Sequence, residues 1–176
     1  SMKALPERGR IGIFNRSYYE EALVVRVHPE ILSGQRIPKE EKEAKGIWKK
    51  RFDDINNFER YLSRNGTVVL KFFLNVSKQE QKKRFLERID TPEKNWKFAA
   101  ADVKERAHWD EYMSAYEDVF NNTSTVWAPW HIIPADHKWF TRAAVADIIV
   151  SKLKTMDLKY PAVSEERKQE LLKAKD

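Results

Sequence analysis

The sequence predicts an α/β fold in which a parallel sheet is flanked by helices. Three short apolar runs end abruptly in polar residues, as buried strands do where they leave a sheet. These runs cover residues 11–14, 67–76 and 131–133. The second run follows a long helical pattern after only the short turn at Asn65 and Gly66. A helix, a tight turn and a continuous apolar strand in succession indicate a sheet whose faces are covered by helices.

Helical patterns precede the second strand. Apolar residues at helical spacing predict a helix over 18–27, which ends before Pro29. A longer amphipathic helix is predicted over 47–65. Between these two helices we expect residues 31–43 to form an irregular connection.

Further helical patterns follow the second and third strands. Ser77 and Glu80 have the spacing of a capping box, so a helix should begin directly after the second strand. A last helix over 138–156 is rich in small and apolar residues and should pack closely on the sheet. The charged tail beyond residue 161 should fray.

The composition restricts the class of protein. With 41% hydrophobic and 12% aromatic residues, the 176-residue chain can form a packed core. The net charge of +6 favours an anionic partner. The absence of cysteine excludes disulfides, and the four histidines lack paired ligand spacing, so we expect no transition-metal site. No apolar run approaches the roughly 20 residues of a membrane span, which favours a soluble, cytoplasmic protein.

Polar side chains gather where the three predicted strands end. The carboxyl ends of parallel strands meet at one edge of a sheet, where ligands of α/β proteins usually bind. We therefore expect six residues to share this edge: Asn15, Arg16, Ser17, Asn75, Ser77 and Asp136. In an alternative interpretation, Asn15 and Arg16 cap the following helix, and we expect Asp136 to cap the last one.

The helix predicted after Ser77 carries a basic face. Four of its residues are cationic: Lys82, Lys83, Arg84 and Arg88. Arg84 and Arg88 are four positions apart, where like charges destabilise a helix by about 0.2–0.5 kcal/mol. A nearby anion would offset this cost. The alternative is a solvated basic face without a ligand.

Residues 90–125 form an excursion between two strands. The segment is helical, aromatic and cationic, and it includes Lys94, Trp96 and Lys97. Such a segment is typical of a lid that closes over an anionic substrate. The alternative is an ordinary helical crossover with its aromatic residues in the core. Four aromatic residues are expected to serve packing first: Tyr18, Tyr19, Trp96 and Trp109.

Several spaced motifs resemble the second family of polyphosphate kinases, over residues 6–160. The first is Phe14-Asn15-Arg16-Ser17-Tyr18-Tyr19-Glu20. The second begins with Ser77-Lys78-Gln79-Glu80, continues to Arg88 and includes Trp96-Lys97. The third is Pro134-Ala135-Asp136, followed by Lys138-Trp139 and Arg142. The resemblance implies a partial P-loop kinase-like domain over residues 1–160. It also implies a helical lid over about 90–125, followed by the charged tail at 161–176.

The resemblance also implies a reaction. Members of this family move a terminal phosphoryl group between inorganic polyphosphate and a nucleoside mono- or diphosphate, with Mg²⁺ as cofactor. Their strand motif usually reads Asp-Arg-Ser, whereas this chain has Asn15-Arg16-Ser17. This variant is similar to the branch that acts on AMP as well as ADP. An amide is a weaker, neutral ligand, so we expect no direct metal ligand at position 15.

Residue roles follow from the same resemblance. Arg16 and Arg88 match the residues expected to be catalytic. Five others match positions expected to bind phosphate or polyphosphate: Asn15, Lys83, Arg84, Lys94 and Lys97.

The glycine-rich phosphate-binding loop of the family does not occur in this sequence. Only five glycines are present, none in a G-x-x-x-x-G-K-[ST] pattern. We therefore expect the chain to be an inactive fragment without the P-loop strand, and to form a homo-oligomer through strand edges left exposed. Two other classes stay open, a nucleic-acid-binding module and a non-catalytic assembly module.

Overall fold

The computed structural model describes residues 2–160 and 162–174, apart from the side chains of residues 2 and 97. Helices dominate this part of the chain, and two strands form a small sheet. Short 3₁₀ helices cover Met2–Ala4 and Pro92–Lys97. The remaining elements are α1 (Glu20–Val27), α2 (Pro29–Gly34), α3 (Lys39–Lys42), α4 (Ile47–Arg64), β1 (Lys71–Asn75), α5 (Lys78–Asp90), α6 (Ala100–Ala107), α7 (Trp109–Thr123), β2 (Trp130–Pro134), α8 (Lys138–Thr155) and α9 (Glu165–Lys173).

The sheet consists of β1 and β2, which pair in parallel. The register runs from Lys71 opposite Trp130 to Asn75 opposite Pro134. The helices α5, α6 and α7 supply the crossover that parallel pairing requires. No helix in the described part of the chain is long and apolar enough to cross a bilayer.

The predicted strand over residues 11–14 is wrong. These residues form no strand, and Ile13 is 90% exposed. An apolar run becomes a strand only where a neighbouring strand accepts its backbone hydrogen bonds, and no described strand pairs with residues 11–14. The second predicted strand is confirmed over Lys71–Asn75 but is shorter than residues 67–76.

The core lies where α1, α4 and α7 meet. Tyr19, Leu23, Phe52 and Val119 are buried there, and the small side chain of Ala115 is buried beside them. Leu23 and Phe52 belong to the apolar patterns that predicted these two helices, and both are buried. Both helix predictions are therefore confirmed.

The predicted excursion between the strands has two different parts. The helix α7 belongs to the core, because Tyr116 packs on Phe73 of β1 with ring centroids 4.4 Å apart and Thr123 is fully buried. For α7, the alternative of an ordinary helical crossover with aromatic residues in the core is therefore right. Residues 91–108, which we call the lid segment, contain no buried residue among those described, and their closure over a ligand stays a prediction.

Two connections predicted to lack regular structure contain helices. Residues 31–43 include the end of α2 and the whole of α3. Pro29 begins α2, because proline fits the first helical position. The tail forms α9, whose first turn is capped by Ser164: its hydroxyl accepts a hydrogen bond from the Arg167 amide at 3.2 Å. Both predictions of irregular structure were wrong.

Other helix ends follow the local sequence signals. Gly66 has a φ of 84° directly after α4, and the Ser77 hydroxyl accepts a hydrogen bond from the Glu80 amide at 3.0 Å. The predicted last helix is confirmed as α8, which contacts β2. None of its residues is buried, so it packs on the sheet less closely than predicted.

Candidate functional site

The carboxyl ends of β1 and β2 meet at one edge of the sheet. The Ala135 amide donates to the Asn75 carbonyl at 2.9 Å, and the Ser77 amide donates to Oδ1 of Asp136 at 2.7 Å. This bond from Ser77 lowers the pKa of the Asp136 carboxyl and places a negative charge at the N-terminus of α5, where the helix dipole favours it. The prediction that Asp136 caps the last helix is wrong, because the N-cap of α8 is His137.

Arg84 fastens α5 to the loop that follows β2. Its Nε donates to Oε1 of Glu80 at 2.9 Å. Its Nη2 donates to the carbonyls of Ala135 at 2.8 Å and Asp136 at 3.0 Å. The guanidinium therefore holds a helix and a loop together, and a phosphate contact by Arg84 stays a prediction.

Arg16 lies in a tight turn before α1. Its φ is 74°, in the left-handed region that residues other than glycine rarely adopt. Its side chain is 79% exposed, with Nε 3.4 Å from Oε1 of Glu20, and the neighbouring Asn15 is also exposed. The N-cap of α1 is Tyr19, without a side-chain cap, so the alternative in which Asn15 and Arg16 cap this helix is wrong.

The Arg16 turn lies near the sheet without a direct bond to its edge. The charges of Glu20 and Arg16 act on the hydroxyl of Tyr116, whose pKa is raised by burial and whose ring packs on β1. No hydrogen bond among the described residues joins the turn to Ser77 or Asp136. Of the six residues predicted at one edge, Asn75, Ser77 and Asp136 are together, and Asn15, Arg16 and Ser17 form a separate turn.

Cations line α5, as the sequence predicted. Lys83 is 78% exposed, and its Nζ is 3.9 Å from Oε2 of Glu80. The Arg88 guanidinium lies over the Phe85 ring, 5.6 Å from its centroid, and no acidic side chain of the described chain is within salt-bridge distance of it. An open cleft of about 510 Å³ runs along this helix, with Lys82, Lys83, Leu86 and Glu87 in its lining. Lys83 is therefore partly neutralised, whereas Arg88 keeps its charge available.

The lid segment contains three residues singled out from the sequence. Lys94 pairs with Glu87 of α5 at 2.5 Å. Trp96 is exposed, and its indole N–H donates to the Glu93 carbonyl, so the packing prediction is wrong for Trp96. The side chain of Lys97 lies outside the described residues. Trp109, the first residue of α7 after the segment, is half-buried.

A histidine ties the lid segment to the body of the molecule. The ring Nε2 of His28, at the end of α1, is 2.9 Å from Oε2 of Glu105 in α6. The Tyr112 hydroxyl donates to the same carboxylate oxygen at 2.8 Å. The hydrogen bond to Glu105 raises the pKa of His28, and the same bond lowers the pKa of Glu105. The pair is therefore most stable when both groups are charged.

The most deeply buried charges of the described chain form a network that the sequence analysis missed. The ammonium of Lys71 donates to Oε2 of Glu59 at 2.7 Å, to the Tyr19 hydroxyl at 2.8 Å and to the Thr123 carbonyl at 2.8 Å. The hydroxyls of Tyr18 and Tyr19 donate to Oε1 of Glu59 at 2.7 and 2.9 Å. Glu59 is 0% exposed and Lys71 is 6% exposed. We call these five residues the Glu59 network.

The Glu59 network changes the acid–base properties of its members. Burial, followed by the charge of Glu59, raises the pKa of both tyrosines, so their hydroxyls stay protonated and act as donors. Burial lowers the pKa of Lys71, and the bond to Glu59 opposes that change. The packing prediction for Tyr18 and Tyr19 is confirmed, but each also has a polar function.

A sequence signal for this network existed. Glu59 follows Phe52 and Ile55 at helical spacing on the apolar stripe of α4, where a carboxylate has to find a partner. Lys71 interrupts the apolar run of β1 in the same way. Two opposite charges on buried faces of consecutive elements predict an internal ion pair.

A comparison with protein families decides the identity of the chain. The sequence model of polyphosphate kinase 2 matches residues 1–161. The chain belongs to the polyphosphate kinase 2 family. The resemblance of its strand, lid and last-helix motifs to that family is thereby confirmed.

Relatives and solved structures agree with this assignment. The chain is 52% identical over 168 residues to the ADP-polyphosphate phosphotransferase of Rhodopseudomonas palustris, covering 96% of this chain and 58% of that protein. It is 72% identical over 129 residues to an uncharacterized protein of Leptolyngbya boryana, covering 73% of this chain and 95% of that protein. The crystal structure of polyphosphate kinase 2 from Arthrobacter aurescens superposes with a TM-score of 0.83 at 38% identity, over 97% of this chain and 57% of that one.

The structural match shows that the two-stranded sheet and its helices have the fold of the polyphosphate kinase 2 family. The chain spans just over half the length of the R. palustris and A. aurescens proteins. The activity and substrates of such longer proteins are therefore proposals for this chain.

Proposed function

We propose that this chain supplies cationic residues for phosphoryl transfer between inorganic polyphosphate and a nucleoside mono- or diphosphate, AMP or ADP. The match of the family model over residues 1–161 carries the proposal. The names of the relatives support it, because the R. palustris protein is an ADP-polyphosphate phosphotransferase and one from Meiothermus ruber, 43% identical, is an AMP/ADP-polyphosphate phosphotransferase.

The proposed chemistry needs positioning and charge neutralisation more than covalent catalysis. Arg16 is exposed at a fixed turn, and a guanidinium there suits bidentate contact with phosphate oxygens. Arg88 has no acidic partner among the described residues, so its charge is free to stabilise the transferred group. These two arginines are the proposed catalytic residues.

The proposed polyphosphate contacts lie on α5 and the lid segment. The polyphosphate would be attracted at separate points along its length by Lys83, Lys94 and Lys97, because a lysine ammonium acts as a point charge. Arg84 would approach phosphate only from the side of the guanidinium that its carbonyl contacts leave open. The lid segment would cover the bound polyphosphate and exclude water.

Mg²⁺ fits this proposal as a cofactor held largely by the substrates. No group of three acidic or histidine side chains in the described chain is placed to bind a metal. Mg²⁺ in kinases keeps several waters and binds through substrate phosphates with one or two protein ligands. Asn15 would donate a hydrogen bond to phosphate or accept one from a metal-bound water. The ion would neutralise charge on the phosphates.

A graft provides the test. The chain replaces the region that it matches in the R. palustris phosphotransferase, and ATP formation from ADP and polyphosphate is measured. We expect the graft to be active and the 176-residue chain alone to be inactive, because its sequence has no glycine-rich phosphate loop. A soluble, folded graft without activity beside an active parent enzyme would contradict the proposal. Robust transfer by the chain alone would refute its inactivity.

We also propose that the chain self-associates. Ile11 and Ile13 are exposed in a segment that forms no strand, and α8 buries none of its residues. Such apolar surface favours association. Analytical ultracentrifugation should show a homo-oligomer at micromolar concentration, and a monomer would contradict this. The nucleic-acid alternative gains no support, because carboxylates such as Glu80 and Glu87 alternate with the cations of α5.

A further inference from the structure

The Glu59 network is more than a buried ion pair. Lys71 uses all three of its donors, and both carboxylate oxygens of Glu59 accept hydrogen bonds. The network joins α4, β1, the end of α7 and the segment that enters α1. Each of these elements contributes at least one polar atom to the same small buried volume.

Stability alone does not account for this arrangement. Removing two charges from water costs several kcal/mol each, and apolar residues of similar volume often replace a buried ion pair without loss of stability. Apolar packing, however, tolerates small shifts, whereas hydrogen bonds fix both distance and angle. A satisfied buried network therefore contributes a unique geometry.

The geometry that this network fixes is that of the Arg16 turn. Tyr18 and Tyr19 are the second and third residues after Arg16, and their hydroxyls converge on one oxygen of Glu59. The amide of Tyr19 also donates to the Ser17 hydroxyl at 3.3 Å, which ties the turn to the anchored residues. Rings and hydroxyls of both tyrosines are thus held on the C-terminal side of the turn.

The backbone of Arg16 requires such support. A left-handed conformation at a residue other than glycine is unfavourable and persists only where the surrounding structure determines it. The side-chain contact of Arg16 with Glu20, at 3.4 Å and largely exposed, is weak. The stronger constraints are the hydrogen bonds of the two tyrosines to Glu59, of which that of Tyr19 is buried and that of Tyr18 partly buried.

We propose that Glu59, oriented by Lys71, is a positioning residue for Arg16: through the hydroxyls of Tyr18 and Tyr19 it fixes the turn that presents the guanidinium to a phosphate group. The role of Arg16 toward phosphate rests on the proposed function above. The positioning of the turn does not, because it can be measured in the free chain.

Tyr18→Phe is the most selective variant for the test. It removes one hydroxyl and leaves Lys71 with all three of its acceptors. Asn56→Ala is a matched control on the same helix. It removes the bond from the Asn56 side chain to the Asn122 carbonyl at 2.8 Å, which joins α4 to α7 without touching the turn.

The experiment uses NMR spectra of the 176-residue chain, with inorganic triphosphate as the probe. In the free chain, Tyr18→Phe should shift the Arg16 Cα and Nε–Hε resonances, and Asn56→Ala should leave them unchanged although both variants lower the melting temperature. Titration should show triphosphate binding about three- to tenfold weaker for Tyr18→Phe, the range expected for one lost hydrogen bond. The control should bind like the parent chain.

The outcomes separate the two claims. Unchanged Arg16 resonances in the Tyr18→Phe chain, or equal shifts in the Asn56→Ala chain, would overturn the positioning role. Suppose that Tyr18→Phe shifts the Arg16 resonances and Asn56→Ala does not, but that Arg16 of the parent chain does not respond to triphosphate. The role of Arg16 in the proposed function then fails, while the positioning role is supported.

Discussion

Two regions of the molecule treat lysine charges in opposite ways. Inside the Glu59 network, the Lys71 ammonium has three acceptors within 2.8 Å and almost no exposure. On α5, the Lys83 ammonium is largely exposed and 3.9 Å from a single carboxylate. The Lys71 ammonium makes all its hydrogen bonds within the fold, where they fix the relative position of four segments. The Lys83 ammonium stays exposed to solvent, and an anionic ligand for it is the proposal made above. Burial, rather than residue type, therefore separates structural cations from candidate binding cations.

The largest effect should follow a break of the buried pair. Glu59→Leu leaves Lys71 buried without its counter-ion, and we expect a loss of about 3–5 kcal/mol in the free energy of unfolding. Urea denaturation of the 176-residue chain measures this. The double variant Glu59→Leu with Lys71→Met removes both charges and should recover a large part of the loss.

The single and the double variant together test whether the Lys71 charge is held by Glu59 inside the fold. A single variant that loses less than about 1 kcal/mol, as an exposed ion pair would, shows that the lysine is not held as described.

Removal of either proposed catalytic arginine, Arg16 or Arg88, should leave stability intact and reduce catalysis. In the graft with the R. palustris enzyme, Arg16→Ala and Arg88→Ala should each lower turnover at least about tenfold, equivalent to about 1.4 kcal/mol of transition-state stabilisation. The control is Arg167→Ala, an exposed arginine of α9 that pairs with Glu170. If the control and the two arginine variants turn over equally fast, Arg16 and Arg88 are not catalytic.

Removal of a lid lysine should affect substrate binding more weakly. Lys94→Ala or Lys97→Ala should raise the apparent KM for polyphosphate about two- to fivefold, as expected for the loss of one weak electrostatic contact, with little change in kcat. The effect should fade as salt is added, because salt screens exposed charges. Lys168→Ala in α9 is the matched control. A KM shift that persists in high salt would show that the lid lysines act by something other than charge attraction to polyphosphate.

The smallest effect concerns pH and the His28 tether. The fold raises the pKa of His28 above its usual value of 6.5 and lowers that of Glu105 below 4.5. The contribution of His28 to stability is therefore fully present below pH 6.5 and lost as pH rises through its raised pKa. The contribution of Glu105 is present above pH 4.5 and lost as pH falls through its lowered pKa.

Comparison of melting temperatures between the parent chain and His28→Gln checks this window. The difference should be greatest between pH 4.5 and 6.5 and should shrink at pH 9. A difference that is the same at every pH would show that His28 acts only through its shape.

The helix ends of this fold could be predicted because their signals are local. Gly66 adopts a positive φ after α4, and Ser77 caps α5, and each needs information from only a few neighbouring residues. The strand at residues 11–14 was wrong for the opposite reason. An apolar run has the same sequence whether or not a second strand lies beside it, so pairing cannot be deduced from the run itself.

The candidate site divides in the same way. Exposed cations such as Lys83 and Arg16 could be recognised from motifs, but their contacts depend on residues distant in sequence. Arg84 was predicted on the basic face with Arg88, yet it donates to carbonyls of the loop after β2. Glu59 and Lys71 were missed because the apolar patterns of α4 and β1 were assessed without the charged residues that interrupt them. The structure shows that α4 packs on α7 and that the bond between Lys71 and Glu59 joins β1 to α4.

The parallel pairing of β1 with β2 also constrains the order of events during folding. The pairing joins residues that are far apart in the sequence, and such distant contacts slow folding because chain entropy is lost before they form. Trp130, the first residue of β2, donates to the Thr123 hydroxyl at the end of α7 at 3.0 Å. Docking of β2 therefore closes the space around Lys71, and water has to leave its ammonium at the same step. Refolding followed by tryptophan fluorescence should consequently end later than helix formation followed by circular dichroism.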